Sequence, residues 1–129
     1  MSKDLSILVI DDSDEFRETM LAFLKKVLPT ASVIGASNGK TGIELAQSQN
    51  IDLFLIDFEM DMSGTEVIHK IREIPQYENA PFVIITAYDS LENQVDSMLS
   101  GAVSFIPKPI VFSEFSENLK TLIHNWHLD

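Results

Sequence analysis

Leu53-Phe54-Leu55-Ile56 run unbroken into Asp57, and no other stretch restricts the fold so sharply. A strand with one wet face alternates apolar and polar residues. An uninterrupted apolar run needs cover on both faces and belongs inside a parallel sheet. An acid that closes such a strand lies at the carboxyl edge, where open α/β sheets build their sites. Asp57 is therefore the first candidate functional residue.

The rest of the chain repeats that pattern. Residues 5–10 form a β-rich run closed by Asp11-Asp12-Ser13-Asp14. These read as a loop and a helix N-cap, with Ser13 or Asp14 the better cap. From Glu15 to Leu28, the spacing of Phe16, Met20, Phe23, Leu24 and Val27 predicts a helix that Pro29 ends. Residues 31–36 form a second strand, Asn38-Gly39 a turn, and residues 42–49 a short helix. After the strand at Leu53, Ser63-Gly64 precedes a helix carried by Val67, Ile68, Ile71 and Ile74 and closed by Pro75. Residues 82–85 form a fourth strand ending in Thr86-Ala87. Leu91, Val95, Met98 and Leu99 mark a fourth helix that stops near Gly101. Residues 103–106 form a fifth strand ending at Pro107-Lys108-Pro109. Phe112, Phe115, Leu119, Leu122 and Ile123 define a last helix running to the end. Met20, Met98 and the phenylalanines are core candidates, and Met60 and Met62 read as packing residues.

Strand and helix thus alternate five times. The pattern predicts an α/β fold, a doubly wound five-stranded parallel sheet with helices on both faces and right-handed crossovers. The 129 residues suit one domain spanning 1–129, and 45% apolar content excludes a disordered chain. Cysteine is absent, which excludes disulfides and thiolate metal sites. With no apolar run near the roughly 20 residues of a membrane span and no signal-peptide core, a soluble, cytoplasmic protein is expected. A net charge of −11 argues against direct nucleic-acid binding, which rests on neutralising phosphates.

In such a sheet the loops after the strands share one edge. They bring Asp11 and Asp12, then Asp57 with Glu59, then Thr86, then Lys108. Clustered carboxylates resist joint ionisation without a cation. Magnesium suits them, because it takes few carboxylates and leaves room for phosphate oxygens. Beside it an aspartate can attack phosphorus, Lys108 can offset charge on the transferring group, and Thr86 Oγ can hydrogen-bond a phosphoryl oxygen. Singly, each has a plainer reading: Asp57 a helix cap or solvated strand end, Thr86 a turn residue, Lys108 a surface lysine. The set in order raises them together.

On Asp11-Asp12, Asp57, Thr86-Ala87 and Lys108-Pro109, the chain resembles a receiver domain of a two-component response regulator over essentially its whole length. The resemblance implies the flavodoxin-like strand order 2-1-3-4-5 and a signalling domain, not an enzyme, which assists only its own phosphorylation and dephosphorylation. It implies that Asp57 accepts phosphate from a histidine kinase or histidine phosphotransfer protein. Asp11, Asp12 and Asp57 would hold Mg2+ with the Glu59 backbone carbonyl. Thr86 and Phe105 would switch the face formed by the fourth helix, fifth strand and fifth helix for an output domain or protein. Homodimerisation is left open. Glu59 and Tyr88 fall where the family tunes dephosphorylation, Tyr88 by shielding the phosphoryl group, and the Lys108-Pro109 bond is expected to be cis. The chain departs from the family after the acceptor: Asp61 follows Met60 where a proline is usual, and Gly64 arrives one residue early.

Three rivals remain. Gly35 to Thr41 resembles a P-loop with one residue too few between its glycines. Asp12-Ser13-Asp14 has the pattern of a magnesium phosphohydrolase, with Asp12 as nucleophile. A receiver fold could also serve as a binding module that is never phosphorylated.

Overall fold

The computed structural model describes residues 4–87 and 90–128. Strands β1 (Ser6–Ile10), β2 (Ser32–Ala36), β3 (Leu53–Asp57), β4 (Phe82–Thr86) and β5 (Ser104–Pro107) alternate with helices α1 (Asp14–Val27), α2 (Gly39–Ser48), α3 (Gly64–Arg72), α4 (Leu91–Leu99) and α5 (Phe112–Asn125). The strands form one parallel sheet in the order β2-β1-β3-β4-β5. This is the doubly wound, flavodoxin-like arrangement expected from the sequence.

Every residue of β3 and of β4 is buried. Side chains alternate across a strand, so each central strand feeds two cores. Leu8, Ile10, Phe54, Ile56, Phe82 and Ile84 meet Ala46, Val67, Ile68 and Ile71 on one side. Ile7, Val9, Leu53, Leu55, Val83 and Ile85 meet Met20, Leu24, Phe115, Leu119 and Ile123 on the other. The first core is pinned by Tyr77 in a short 3-10 turn, Pro75–Tyr77. Its hydroxyl accepts from Ile51 N–H at 3.1 Å and faces the carbonyls of Ala46 and Gln49 at 2.8 and 2.7 Å.

Four local expectations are corrected. Asn38-Gly39 is not a free turn. Asn38 is extended at φ −158° and its side chain accepts from Thr41 N–H, so α2 starts at Gly39, three residues before the apolar pattern does. α3 ends at Arg72, and Pro75 opens the 3-10 turn, where its missing N–H costs nothing. α5 stops at Asn125, short of the end. Met98 is no core residue: it is 57% exposed, beside Val95 and Leu99 at 47% and 79%. α4 instead turns Ser97 to the interior. Met20, Met60 and Met62 do pack as expected.

Candidate functional site at the carboxyl edge of the sheet

The loop after β1 is built around one carboxylate. Asp11 is 1% exposed. Its Oδ1 accepts from Ser13 N–H at 2.8 Å, and its carbonyl accepts from Arg17 Nη1 at 2.8 Å. Ser13 then caps α1 by accepting from Phe16 N–H at 3.2 Å. The cap falls on Ser13, one of its two candidates, which leaves Asp12 exposed and free to face the site.

Asp57 is the last residue of β3 and is buried. The loop after it is short, and it closes by glycine. Gly64 N–H bonds the Phe58 carbonyl at 3.0 Å, and a Cβ on Gly64 would lie 2.6 Å from the Asp57 carbonyl oxygen. Gly64 is thus required where it stands, and β3 stays paired with β4 as far as Asp57, opposite Ile85.

Lys108 follows β5. Its N–H bonds the Thr86 carbonyl at 2.7 Å, and its peptide bond to Pro109 is cis, as expected. Nζ lies 2.9 Å from Asp11 Oδ2 and 3.8 Å from Asp57 Oδ1. One carboxylate oxygen from each of Asp11, Asp12 and Asp57 lies within 4.8 Å of the other two. Burial, with Asp11 and Asp12 adding to it, pushes the Asp57 carboxyl up to about 6, although Lys108 and the Glu59 backbone N–H pull the other way. Three carboxylates facing one ammonium leave excess negative charge. Their all-oxygen donor set suits a hard divalent cation.

Thr86 ends β4 and is fully buried. Phe105 pairs with Ile84 from β5 and is half-buried against the first core, outside the acidic cluster. The Glu59 side chain is exposed and does not join the three aspartates. Tyr88 lies outside the described residues. Among the described residues no helix is long and apolar enough to cross a membrane. Two rivals lose ground. Thr41 N–H, a donor a phosphate cradle would need, is taken by Asn38 Oδ1 at 2.8 Å. Asp14, the second acid of the hydrolase-like pattern, pairs with Arg17.

The family model for the response regulator receiver domain matches residues 7–120. The chain belongs to the response regulator receiver family.

A cyclic di-GMP phosphodiesterase of Thermotoga maritima is 36% identical over 82% of this chain and 27% of its own length. A protein-glutamate methylesterase/protein-glutamine glutaminase of Hahella chejuensis is 31% identical over 94% of this chain and 31% of its own. The receiver thus spans about a third or less of these relatives, whose named activities belong to those longer proteins. Among solved structures, the signal receiver domain of a DNA-binding response regulator from Colwellia psychrerythraea superposes with a TM-score of 0.87 at 27% identity, covering 94% of this chain and 99% of that one. The acidic pocket of Asp11, Asp12 and Asp57 fits the phosphoacceptor site of such a receiver.

Two contacts were not read from the sequence. Arg17 reaches back to the Asp11 carbonyl, and the Lys108 ammonium sits 4.0 Å from the centre of the Phe16 ring. No local spacing signals the second, because Phe16 and Lys108 lie far apart in the chain.

Proposed function

We propose that Asp57 accepts a phosphoryl group from a phosphohistidine on a histidine kinase or histidine phosphotransfer protein. An Asp57 oxygen attacks phosphorus, the P–N bond breaks, and its electron pair leaves on the donor imidazole. The observation that carries this reading is Lys108 Nζ between Asp11 and Asp57, inside a cluster of three carboxylates. A carboxyl pushed to about 6 is ionised at neutral pH and more basic than an ordinary aspartate, which suits a nucleophile. Asp11, Asp12, Asp57 and the Glu59 carbonyl would hold Mg2+, which supplies charge neutralisation at the transferring phosphoryl oxygens. Lys108 offsets the same charge from the protein side, and the Thr86 hydroxyl hydrogen-bonds a phosphoryl oxygen.

The output follows through Thr86 and Phe105. Phosphorylation draws the Thr86 hydroxyl inward, and the Phe105 ring turns to follow it. The face of α4, β5 and α5 then changes for an output domain or protein, and the exposed Val95, Met98 and Leu99 offer that partner an apolar surface. Glu59 and Tyr88 tune the lifetime of the phosphorylated form, and the cytoplasm is the proposed compartment.

The test is incubation with Mg2+ and acetyl phosphate followed by intact mass. Wild type should gain one phosphoryl group and Asp57→Asn none. An unchanged wild-type mass with acetyl phosphate and with histidine kinases, or equal gain in Asp57→Asn, overturns the reading.

A further inference from the structure

Lys108 has a long, flexible side chain, and its charge alone does not fix where the ammonium rests. In this chain it is held from two sides. Asp11 Oδ2 lies 2.9 Å away, and the Phe16 ring centre lies 4.0 Å away. A cation over an aromatic face is attracted by the ring quadrupole, more strongly where water is excluded. The Lys108 side chain is only 18% exposed.

The ring is itself positioned by the same acid. Asp11 Oδ1 takes the Ser13 N–H, Ser13 Oγ takes the Phe16 N–H, and Asp11 Oδ2 takes the ammonium that the Phe16 ring supports. These contacts close a circuit from β1 through the first turn of α1 to the segment after β5. The carboxylates attract Lys108 toward the acidic cluster. Phe16 opposes it with an uncharged face that adds no further negative charge. Phe16 and Lys108 line one cleft of about 290 Å³, together with the polar Ser13, Glu15 and Thr19 and the apolar Ile110 and Phe112.

We infer that Phe16 is a positioning residue for Lys108, holding the ammonium by a cation–π contact within reach of the phosphoryl group that Asp57 receives. The inference rests on the receiver reading of Asp57, and it deepens that reading by adding a residue that does not touch the reacting atoms.

The experiment compares Phe16→Tyr and Phe16→Leu with wild type in the full chain. The first readout is the NMR shift of the Lys108 ε-methylene protons, which a ring face at this distance moves upfield and which needs no phosphorylation. The second is the rate of phosphorylation by acetyl phosphate at saturating Mg2+. Phe16→Tyr should keep both the upfield shift and the rate. Phe16→Leu should return the methylene to its ordinary position and slow phosphorylation about 3- to 10-fold, the range expected from a partly desolvated cation–π contact. Thermal unfolding of both variants shows whether Phe16→Leu merely loosens α1. Equal slowing in Phe16→Tyr and Phe16→Leu, or an unshifted Lys108 methylene in wild type, overturns the role of Phe16. Loss of phosphorylation in wild type itself would instead overturn the assignment of Asp57.

Discussion

Asp57 ends a fully buried strand, and its ionised form is disfavoured there. Its carboxyl is raised from 3.8 to about 6 in the folded chain, so the folded state holds this proton more tightly than the unfolded one. Below about pH 3.8 the group is protonated in both states and adds no penalty. As pH rises through about 6, the folded chain must bury a charge, and stability is lost. At pH 7 the metal-free chain should therefore be less stable than Asp57→Asn, by roughly 2–3 kcal/mol at most. Urea unfolding should show the gap widening between pH 4 and pH 7, whereas parallel curves would contradict it. Adding Mg2+ should narrow the gap by stabilising wild type more than the variant, which lacks one of the carboxylates. The placement of Asp57, Asp11, Asp12, Thr86 and Lys108 at the carboxyl edge of the sheet was legible in the sequence, because each ends or follows a recognisable strand. The strength of the shift was not, since burial and neighbouring charge are properties of the assembled edge.

At the scale of elements, the loop into α3 and the placement of α4 differ most from what pattern alone suggests. Gly64 starts α3 with no room for a Cβ, which would meet the Asp57 carbonyl at 2.6 Å. Gly64→Ala should cost about 1–3 kcal/mol, as overpacking does, and it should slow phosphorylation by displacing the strand end. A variant with unchanged stability and rate would show that the loop yields freely. α4 carries Val95, Met98 and Leu99 outward and buries Ser97, whose hydroxyl has no hydrogen-bond partner among the described residues. Ser97→Ala removes an unsatisfied polar group, so thermal unfolding should show equal or higher stability, by up to about 1 kcal/mol. A clear loss would mean that the hydroxyl is satisfied. The sequence located α4, since spacings of three and four make a helix whichever way it faces. The same spacing wrongly assigned Met98 to the core.

Across the whole molecule, Arg72 ties the end of the sheet remote from the acidic site. It donates to the carbonyls of Glu78 at 2.6 Å and Gly101 at 2.9 Å, and its guanidinium lies 4.7 Å from the Phe82 ring centre. Gly101, at φ +95°, ends α4 in a conformation that a side chain would strain. Arg72 thus links α3, the 3-10 turn and the α4–β5 corner. Arg72→Lys keeps the charge but cannot span these carbonyls. It should lower stability by about 1–3 kcal/mol in urea unfolding, with phosphorylation by acetyl phosphate unchanged, and a drop in that rate would show that the two ends are coupled. By itself the sequence determined the five strand–helix units, the two-sided burial of β3 and β4 and the acids at the strand ends. Hydrophobic period and helix caps are local, and both are written in neighbouring residues. Only the tertiary structure decided that the Phe16 ring lies 4.0 Å from the Lys108 ammonium, that Val95, Met98 and Leu99 of α4 face outward, and that burial pushes the Asp57 carboxyl up to about 6. Each of those depends on groups far apart in the chain, whose distances and exposure to water exist only once the sheet has closed.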